Sequence, residues 1–163
     1  LKELGYRQYE NSNFALEGRE SVHKLKYWSN QDYWGVGLGA SSYLGGERYK
    51  VTTSLMRYMA LVADGEKTWV REERTKRDDL FEQVMMGLRK KRGINLAAFR
   101  EKNGLDILEA AKEFFLKERE EGRVAWDSEA IWLTDQGFLF QNDVLVDFML
   151  ALEEGFDEEL NRK

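Results

Sequence analysis

The chain has 163 residues, room for one or two small domains with hydrophobic cores, and its 42% hydrophobic and 13% aromatic content excludes a disordered chain. No apolar run approaches the roughly 18 residues of a membrane span, the N-terminal LKELGYRQYE lacks the apolar centre of a signal peptide, and the absence of cysteine excludes disulfides and thiolate-held metals. The net charge of −5 is uneven: residues 1–63 hold 8 Lys and Arg against 6 Asp and Glu, and residues 64–163 hold 17 against 24.

In chain order, Leu1 to Leu4 reads as the tail of a helix stopped by Gly5. Tyr6 to Ser12 is a short strand, and Asn13 to Ser21 is polar and turn-like. His23 to Trp28 is a short helix with Tyr27 and Trp28 facing inward. Tyr33 to Leu38 is a second strand that runs into GVGLGASS, Gly35 to Ser42. Gly45 and Gly46 turn the chain into a third strand, Glu47 to Val51. Thr53 caps a helix from Ser54 to Ala63, with Leu55, Tyr58, Met59 and Val62 on its inward stripe. Asp64 and Gly65 end it, and Lys67 to Arg71 is a brief strand.

The remainder reads mainly helical. Thr75 and Asp78 form a capping box for a helix to Arg92, whose buried stripe is Leu80, Phe81, Val84, Met85 and Leu88. Met85 and Met86 are core filler, and Arg89 to Arg92 make a solvated cationic helix end. Asn95 caps a shorter helix that stops near Gly104. Asp106 caps a third, with Ile107, Leu108, Ala111, Phe114 and Phe115 inward and Gly122 as its stop. Arg123 to Asp127 and Glu129 to Leu133 alternate as a hairpin. Thr134 caps a last helix through Leu152, and the acidic tail from Glu153 onward is expected to fray. Three helices, a hairpin and a closing helix make a winged-helix-like pattern. Such a module would raise nucleic-acid binding as an alternative function, but the acidic second half argues against phosphate neutralisation.

Three alternating glycines (Gly35, Gly37, Gly39) strip one face of side chains, so a ligand or a neighbouring element can approach the backbone there. No GK[ST] follows, which excludes a phosphate loop. Around this stretch lie YENSNFA (Tyr9 to Ala15), HKLKYW (His23 to Trp28), MMGLR (Met85 to Arg89) and LTDQGFLFQN (Leu133 to Asn142). In that order they resemble the oxygen-independent coproporphyrinogen III oxidase-like proteins of the radical S-adenosylmethionine superfamily. SNFA and HxxxYW are closer to the haem-chaperone branch than to the authentic oxidase, which has DHFA. The chain departs from the family at His23-Lys24, where HN is usual, and at Tyr9 to Ser12, where YEIS is usual.

The resemblance implies an α+β fold: residues 1–66 as the terminal strands and helices of a partial (β/α) barrel, and residues 67–163 as a helical, winged-helix-like C-terminal domain. It implies a cytoplasmic parent protein in haem metabolism, a haem chaperone or an oxidoreductase that decarboxylates coproporphyrinogen III. That parent would use S-adenosylmethionine and a 4Fe–4S cluster. With no cysteine and a start at Leu1, this chain reads as its C-terminal fragment, without the cluster ligands and inactive alone.

Gly37, Gly39, Ala40 and Ser41 are implied on the S-adenosylmethionine side, and Ser12, Asn13 and Phe14 near the substrate. His23 is implied as a haem-iron ligand, with Tyr27 and Trp28 against the ring; residue chemistry alone favours a surface or packing histidine. The implied partners are a tetrapyrrole and a transient membrane or haem-protein contact, with no nucleic acid. Glu10 and Asp32 offer no paired-carboxylate spacing for acid–base work, so no catalytic residue is assigned.

Overall fold

The computed structural model describes the backbone to Leu160 and side chains through residue 151. By its contacts the chain divides into two units, one of Leu1–Glu20 with Leu80–Lys163 and one of Ser21–Asp79. The cuts fall at Ser21 and within a helix after Asp79. The whole is a mixed α/β fold with three small antiparallel sheets.

The expected helix tail is a single 3-10 turn, Lys2–Leu4, closed by Gly5 in the left-handed conformation. Strands β1 (Arg7–Gln8) and β2 (Phe14–Ala15) then pair, so the stretch expected to be only a turn holds a strand. The tight return between them is organised by Glu10, which is 1% exposed. Its carboxylate accepts the Ser12 backbone N–H at 3.2 Å and the Asn13 side-chain amide.

Residues 21–79 follow. Helix α1 (Val22–Trp28) is capped by Ser21, whose Oγ accepts from the Lys24 N–H. The expected strand over Tyr33–Leu38 does not form. Only Tyr33 pairs, with Tyr43, and the glycines beyond it make a turn in which Gly37 and Gly39 have φ of 96° and 70°. Strand β3 (Ser41–Leu44), hidden in the small-residue run, instead pairs with β4 (Glu47–Val51) across the Gly45–Gly46 turn. Strand β5 (Trp69–Arg71) completes the sheet in the order β3-β4-β5.

Helix α2 (Leu55–Ala63) starts one residue later than expected, because Ser54 rather than Thr53 accepts the capping N–H, from Arg57. Its expected stripe is not inward: Leu55, Met59 and Val62 are between 55% and 59% exposed, Tyr58 is only half-buried, and no residue of α2 is buried.

Helix α3 (Lys76–Gly87) begins with the predicted capping box. Asp78 Oδ2 accepts the Thr75 N–H at 2.8 Å, and the Asp78 N–H donates back to Thr75 Oγ1 at 3.1 Å. It ends at Gly87 rather than Arg92. The residues beyond turn so that Lys90 pairs with Glu10 in an isolated bridge, which corrects the reading of Arg89 to Arg92 as a helix end. Strand β6 (Ile94–Asn95) leads into α4 (Leu96–Asn103), capped by Asn95.

The third helix is broken at Ala111 (φ −126°, ψ 40°) into α5 (Ile107–Ala110) and α6 (Lys112–Glu120). Strands β7 (Val124–Trp126) and β8 (Ala130–Leu133) form the expected hairpin, and β6 joins it in the order β6-β8-β7. Thr134 caps α7 (Asp135–Leu139), and a second break at Phe140 separates it from α8 (Gln141–Leu160). The acidic tail from Glu153 lies outside the residues whose side chains are described.

One core unites residues 80–151. Leu80, Val84 and Leu88 of α3 and the turn after it meet Ile131 and Leu133 of β8 and Val144 and Phe148 of α8. Phe114, Phe115 and Phe148 pack with ring centroids 5.0 to 5.9 Å apart. Beside them sits a fully buried carboxylate, Glu118, gripped by Arg123 through Nε at 2.7 Å and Nη2 at 2.5 Å. Arg123 also meets Glu121 at 2.6 Å, and the Glu118 hydrogen bonds hold its guanidinium above its ordinary pKa.

Removing one partner of such a buried pair strands the other's charge or donors. Glu118→Gln is expected to cost about 3 kcal/mol, read as a loss of unfolding free energy in urea. Replacing both, as Glu118→Leu with Arg123→Met, is expected to cost much less; equal losses would show that the charge pairing is not what holds this corner. A second expectation concerns pH. Hydrogen bonds from Thr75 depress Asp78, those from Ala130 and Glu129 depress Asp127, and the Lys91 hydrogen bond depresses Asp135. A carboxyl lowered in the folded state stabilises above its unfolded pKa of about 4 and loses that contribution as pH falls through its folded value. Melting temperature should therefore be flat above pH 5 and fall below about pH 4. A melting temperature that holds steady to pH 2 would contradict it.

Candidate functional site

Residues 21–79 gather an aromatic and cationic cluster around the HKLKYW helix. Val22, His23 and Lys24 occupy the first turn of α1 and are exposed, as the capping Ser21 dictates. Four residues on, one helical turn along the same face, Tyr27 stands edge-on to the His23 imidazole with centroids 4.7 Å apart. Tyr27 and Trp28 are half-buried. Asn30, with φ of 45°, turns the chain out of the helix and toward Tyr33. The Tyr33 ring lies 4.4 Å from that of Tyr27.

Tyr33 is held by two backbone hydrogen bonds with Tyr43, at 2.8 and 3.0 Å. Its hydroxyl accepts from Arg48 Nη1 at 2.9 Å, and the Arg48 guanidinium also lies 5.3 Å over the Tyr43 ring. A continuous row of contacts therefore joins the exposed His23 to Arg48 on β4. Sequence reasoning found the histidine end of this row and missed Tyr33 and Arg48. The signal available was an arginine in a strand opposite a tyrosine, a register that a one-residue slip would have erased.

The glycine stretch lies in the same unit. Its backbone is largely committed within the chain. The Gly35 N–H donates to Ser42 Oγ at 3.0 Å, Gly39 to the Thr52 carbonyl at 3.0 Å, and Ala40 to the Gly37 carbonyl at 3.2 Å. A side chain at Gly35 would overlap the Ser41 carbonyl, so that glycine serves close packing. Gly37 is different: a Cβ there would meet nothing within 4 Å, so its face is open. Ser41 is exposed at the start of β3, opposite Lys50.

Ser12, Asn13 and Phe14 belong to the other unit. Ser12 and Asn13 are bound to Glu10, and Phe14 is exposed on β2, opposite Gln8. Asn13 thus commits its side-chain amide to a local turn. The Arg89–Arg92 run is likewise structured: Lys90 is pushed below its ordinary pKa by burial, and Lys91 pairs with Asp135 and lies 4.4 Å over the Phe138 ring. Met85 packs on the core. Among the described residues no group of three His, Asp or Glu is arranged to hold a metal ion, and no helix is long and apolar enough to cross a membrane.

Residues 75–140 match the HemN C-terminal domain family. Over 150 residues the chain is 36% identical to the heme chaperone HemW of Lactococcus lactis, covering 92% of this chain and 39% of that protein. It is 39% identical over 146 residues to the heme chaperone HemW of Bacillus subtilis, covering 89% and 38%. It is also 31% identical over 175 residues to the mitochondrial radical S-adenosyl methionine domain-containing protein 1 of Bos taurus, covering 97% and 38%. The chain thus spans about two fifths of the length of these relatives. Its fold is similar to that of coproporphyrinogen III oxidase (HemN) from Escherichia coli, described as a radical SAM enzyme, with a TM-score of 0.68 at 18% identity over 91% of this chain and 38% of that one. By its motifs, its relatives and its fold, the chain belongs to the oxygen-independent coproporphyrinogen III oxidase-like proteins of the radical SAM superfamily, alongside the haem chaperones.

Proposed function

We propose that the chain is the C-terminal part of a radical S-adenosylmethionine protein of haem metabolism, and that the face around His23 is where that protein holds haem. Residues 1–66 would be the end of a partial (β/α) barrel and residues 67–163 its winged-helix-like C-terminal domain. The parent would act in the cytoplasm as a haem chaperone, with a tetrapyrrole and a haem-protein or membrane surface as partners and no nucleic acid. The order of three helices, β7–β8 hairpin and closing helix supports the winged-helix assignment.

The observation that carries the haem reading is the exposed His23 imidazole backed edge-on by Tyr27. A neutral imidazole is a common metal ligand, and an exposed one meets an iron centre without first being uncovered. Haem, when bound, would supply an iron for which His23 is a nitrogen donor. Tyr27 would orient the His23 ring, and Trp28 offers apolar aromatic surface next to it. Lys24, exposed beside His23 where the family usually has asparagine, would put a cation at this edge.

The residues present do not fit the other iron centre of the family. An iron–sulfur cluster is held by thiolates, and the chain has no cysteine. The chain alone is therefore expected to be catalytically silent. For S-adenosylmethionine, the open face at Gly37 and the exposed Ser41 fit a backbone approach, while Gly39 and Ala40 shape the turn.

The test is a haem titration followed at the Soret band, wild type against His23→Ala. The variant is expected to bind at least tenfold more weakly, roughly the 1.4 kcal/mol of one lost coordination contact, with a shifted band. An unchanged band position and affinity would return His23 to a surface histidine.

A further inference from the structure

Asn103–Gly104 is the one Asn-Gly pair in the sequence. Asparagine is a chemically labile residue, and most so before glycine. The backbone nitrogen that follows it attacks the side-chain carbonyl carbon, and glycine sets no Cβ in the way. The pair sits where α4 ends, with Asn103 as the last helical residue and Gly104 as the left-handed stop at φ 70°. A Cβ on Gly104 would meet nothing within 4 Å, so no neighbour crowds this side of the peptide.

Folding commits the groups that this reaction uses. Asn103 Nδ2 donates to Gln83 Oε1 at 3.1 Å and to the Phe99 carbonyl at 2.9 Å, and Asn103 Oδ1 accepts from Gln83 Nε2 at 3.1 Å. Both amide protons and the oxygen are thus held, and the Phe99 carbonyl fixes which end of the Asn103 amide is nitrogen. The attacking group is held as well, because the Gly104 N–H donates to the Arg100 carbonyl at 2.8 Å. Gln83 belongs to α3, so the hold on the last turn of α4 comes partly from a neighbouring helix.

We infer that Asn103 is a spontaneous deamidation site, kept closed by Gln83 and exposed when the last turn of α4 opens. In the open state the Gly104 nitrogen bonds to Asn103 Cγ, the Cγ–Nδ2 bond breaks, and the Gly104 proton leaves with the ammonia. Water then opens the cyclic imide. Cleavage of its bond to Cγ gives aspartate, and cleavage at the backbone carbonyl gives isoaspartate. No electrons are transferred, and water is the one co-reactant. The aspartate product weakens the corner it came from. A carboxylate has no proton for the Phe99 and Gln83 oxygens that it faces, and its charge at a helix C-terminus opposes the dipole.

The experiment incubates the whole chain at mildly alkaline pH, folded and in urea, and follows Asn103 by peptide mapping for the mass gain of amide-to-acid conversion. In urea, Asn103 is expected to convert before any other asparagine. Folded wild type is expected to be slower there by about tenfold or more, the protection that a modest cost of local opening gives. Gln83→Ala should recover most of that difference. Glu118→Gln, which lowers global stability at a site outside the Gln83 pair, should leave the folded rate close to that of wild type. Asn103→Asp should melt below wild type.

Another asparagine converting first in urea overturns the site. Equal rates in folded and unfolded wild type overturn the protection, and so does a Gln83→Ala rate equal to that of folded wild type. A Glu118→Gln rate that rises in step with its loss of stability overturns the local opening, because it marks global unfolding as the route. Should Gln83→Ala melt early, Gln83→Glu, which keeps the side-chain shape and removes the donor to Asn103 Oδ1, decides by the same comparison. An Asn103→Asp melt that coincides with wild type overturns the weakening.

Discussion

Arg123 ties the C-terminal core together through both its side chain and its carbonyl. Its guanidinium grips Glu118, a carboxylate with no solvent exposure, which would be strongly unfavourable without that partner. Its carbonyl accepts the Thr134 N–H at 3.0 Å, and the Thr134 hydroxyl donates to Gly122 at 2.6 Å. The same carbonyl lies so near Gly137 that a methyl group there would overlap it. A side chain at residue 137 would push α7 off the hairpin, and a lost charge at residue 118 would release α6 from it. The β7–β8 hairpin sits between them, and Ile131 and Leu133 on it are fully buried in the core.

The motifs that identify the family in this part of the chain therefore report packing. In MMGLR, Gly87 lets α3 run against Ile94, whose side chain a Cβ would overlap. In LTDQGFLFQN, Thr134 caps α7, Gly137 admits the Arg123 carbonyl, and the buried Gln141 donates to the Leu88 carbonyl at 3.1 Å. None of these groups is left over for chemistry. A match to the HemN C-terminal domain over residues 75–140 is accordingly strong evidence of fold and family. It does not carry function, which lives in sites rather than in scaffolds.

How far the sequence could be read depended on how local each signal was. The Asn95, Asp106 and Thr134 caps, the Thr75–Asp78 box and the hairpin were legible because each is settled by a few adjacent residues. The breaks at Ala111 and Phe140 were not, since alanine and phenylalanine are unremarkable inside helices and the breaks are imposed by packing. Thr53 and Ser54 are both good caps, and side-chain chemistry could not choose between them. Tyr33 to Leu38 reads as a strand because its alternating apolar residues mimic one. The positive φ at Gly37 and Gly39 makes it a turn, and the true strand begins at Ser41. In the candidate site, HxxxYW was visible as a motif. Arg48 became meaningful only once the β3–β4 register set it against Tyr43 and Tyr33.

Charge divides unevenly along the sequence. Residues 1–63 hold 8 basic against 6 acidic side chains, and the remainder is acidic. Lys24 and Lys26 lie on α1 and Arg48 and Lys50 on β4, where Glu47 pairs with Arg71 and accepts from the Tyr49 hydroxyl and the Glu72 N–H donates to the Arg48 carbonyl. Asp32, the other acid nearby in sequence, accepts the Gly45 N–H at 3.0 Å and so serves the β3–β4 turn. A polyanion such as duplex nucleic acid needs a broad run of cations, and the acidic residues 64–163, with 24 Asp and Glu against 17 Lys and Arg, offer the opposite.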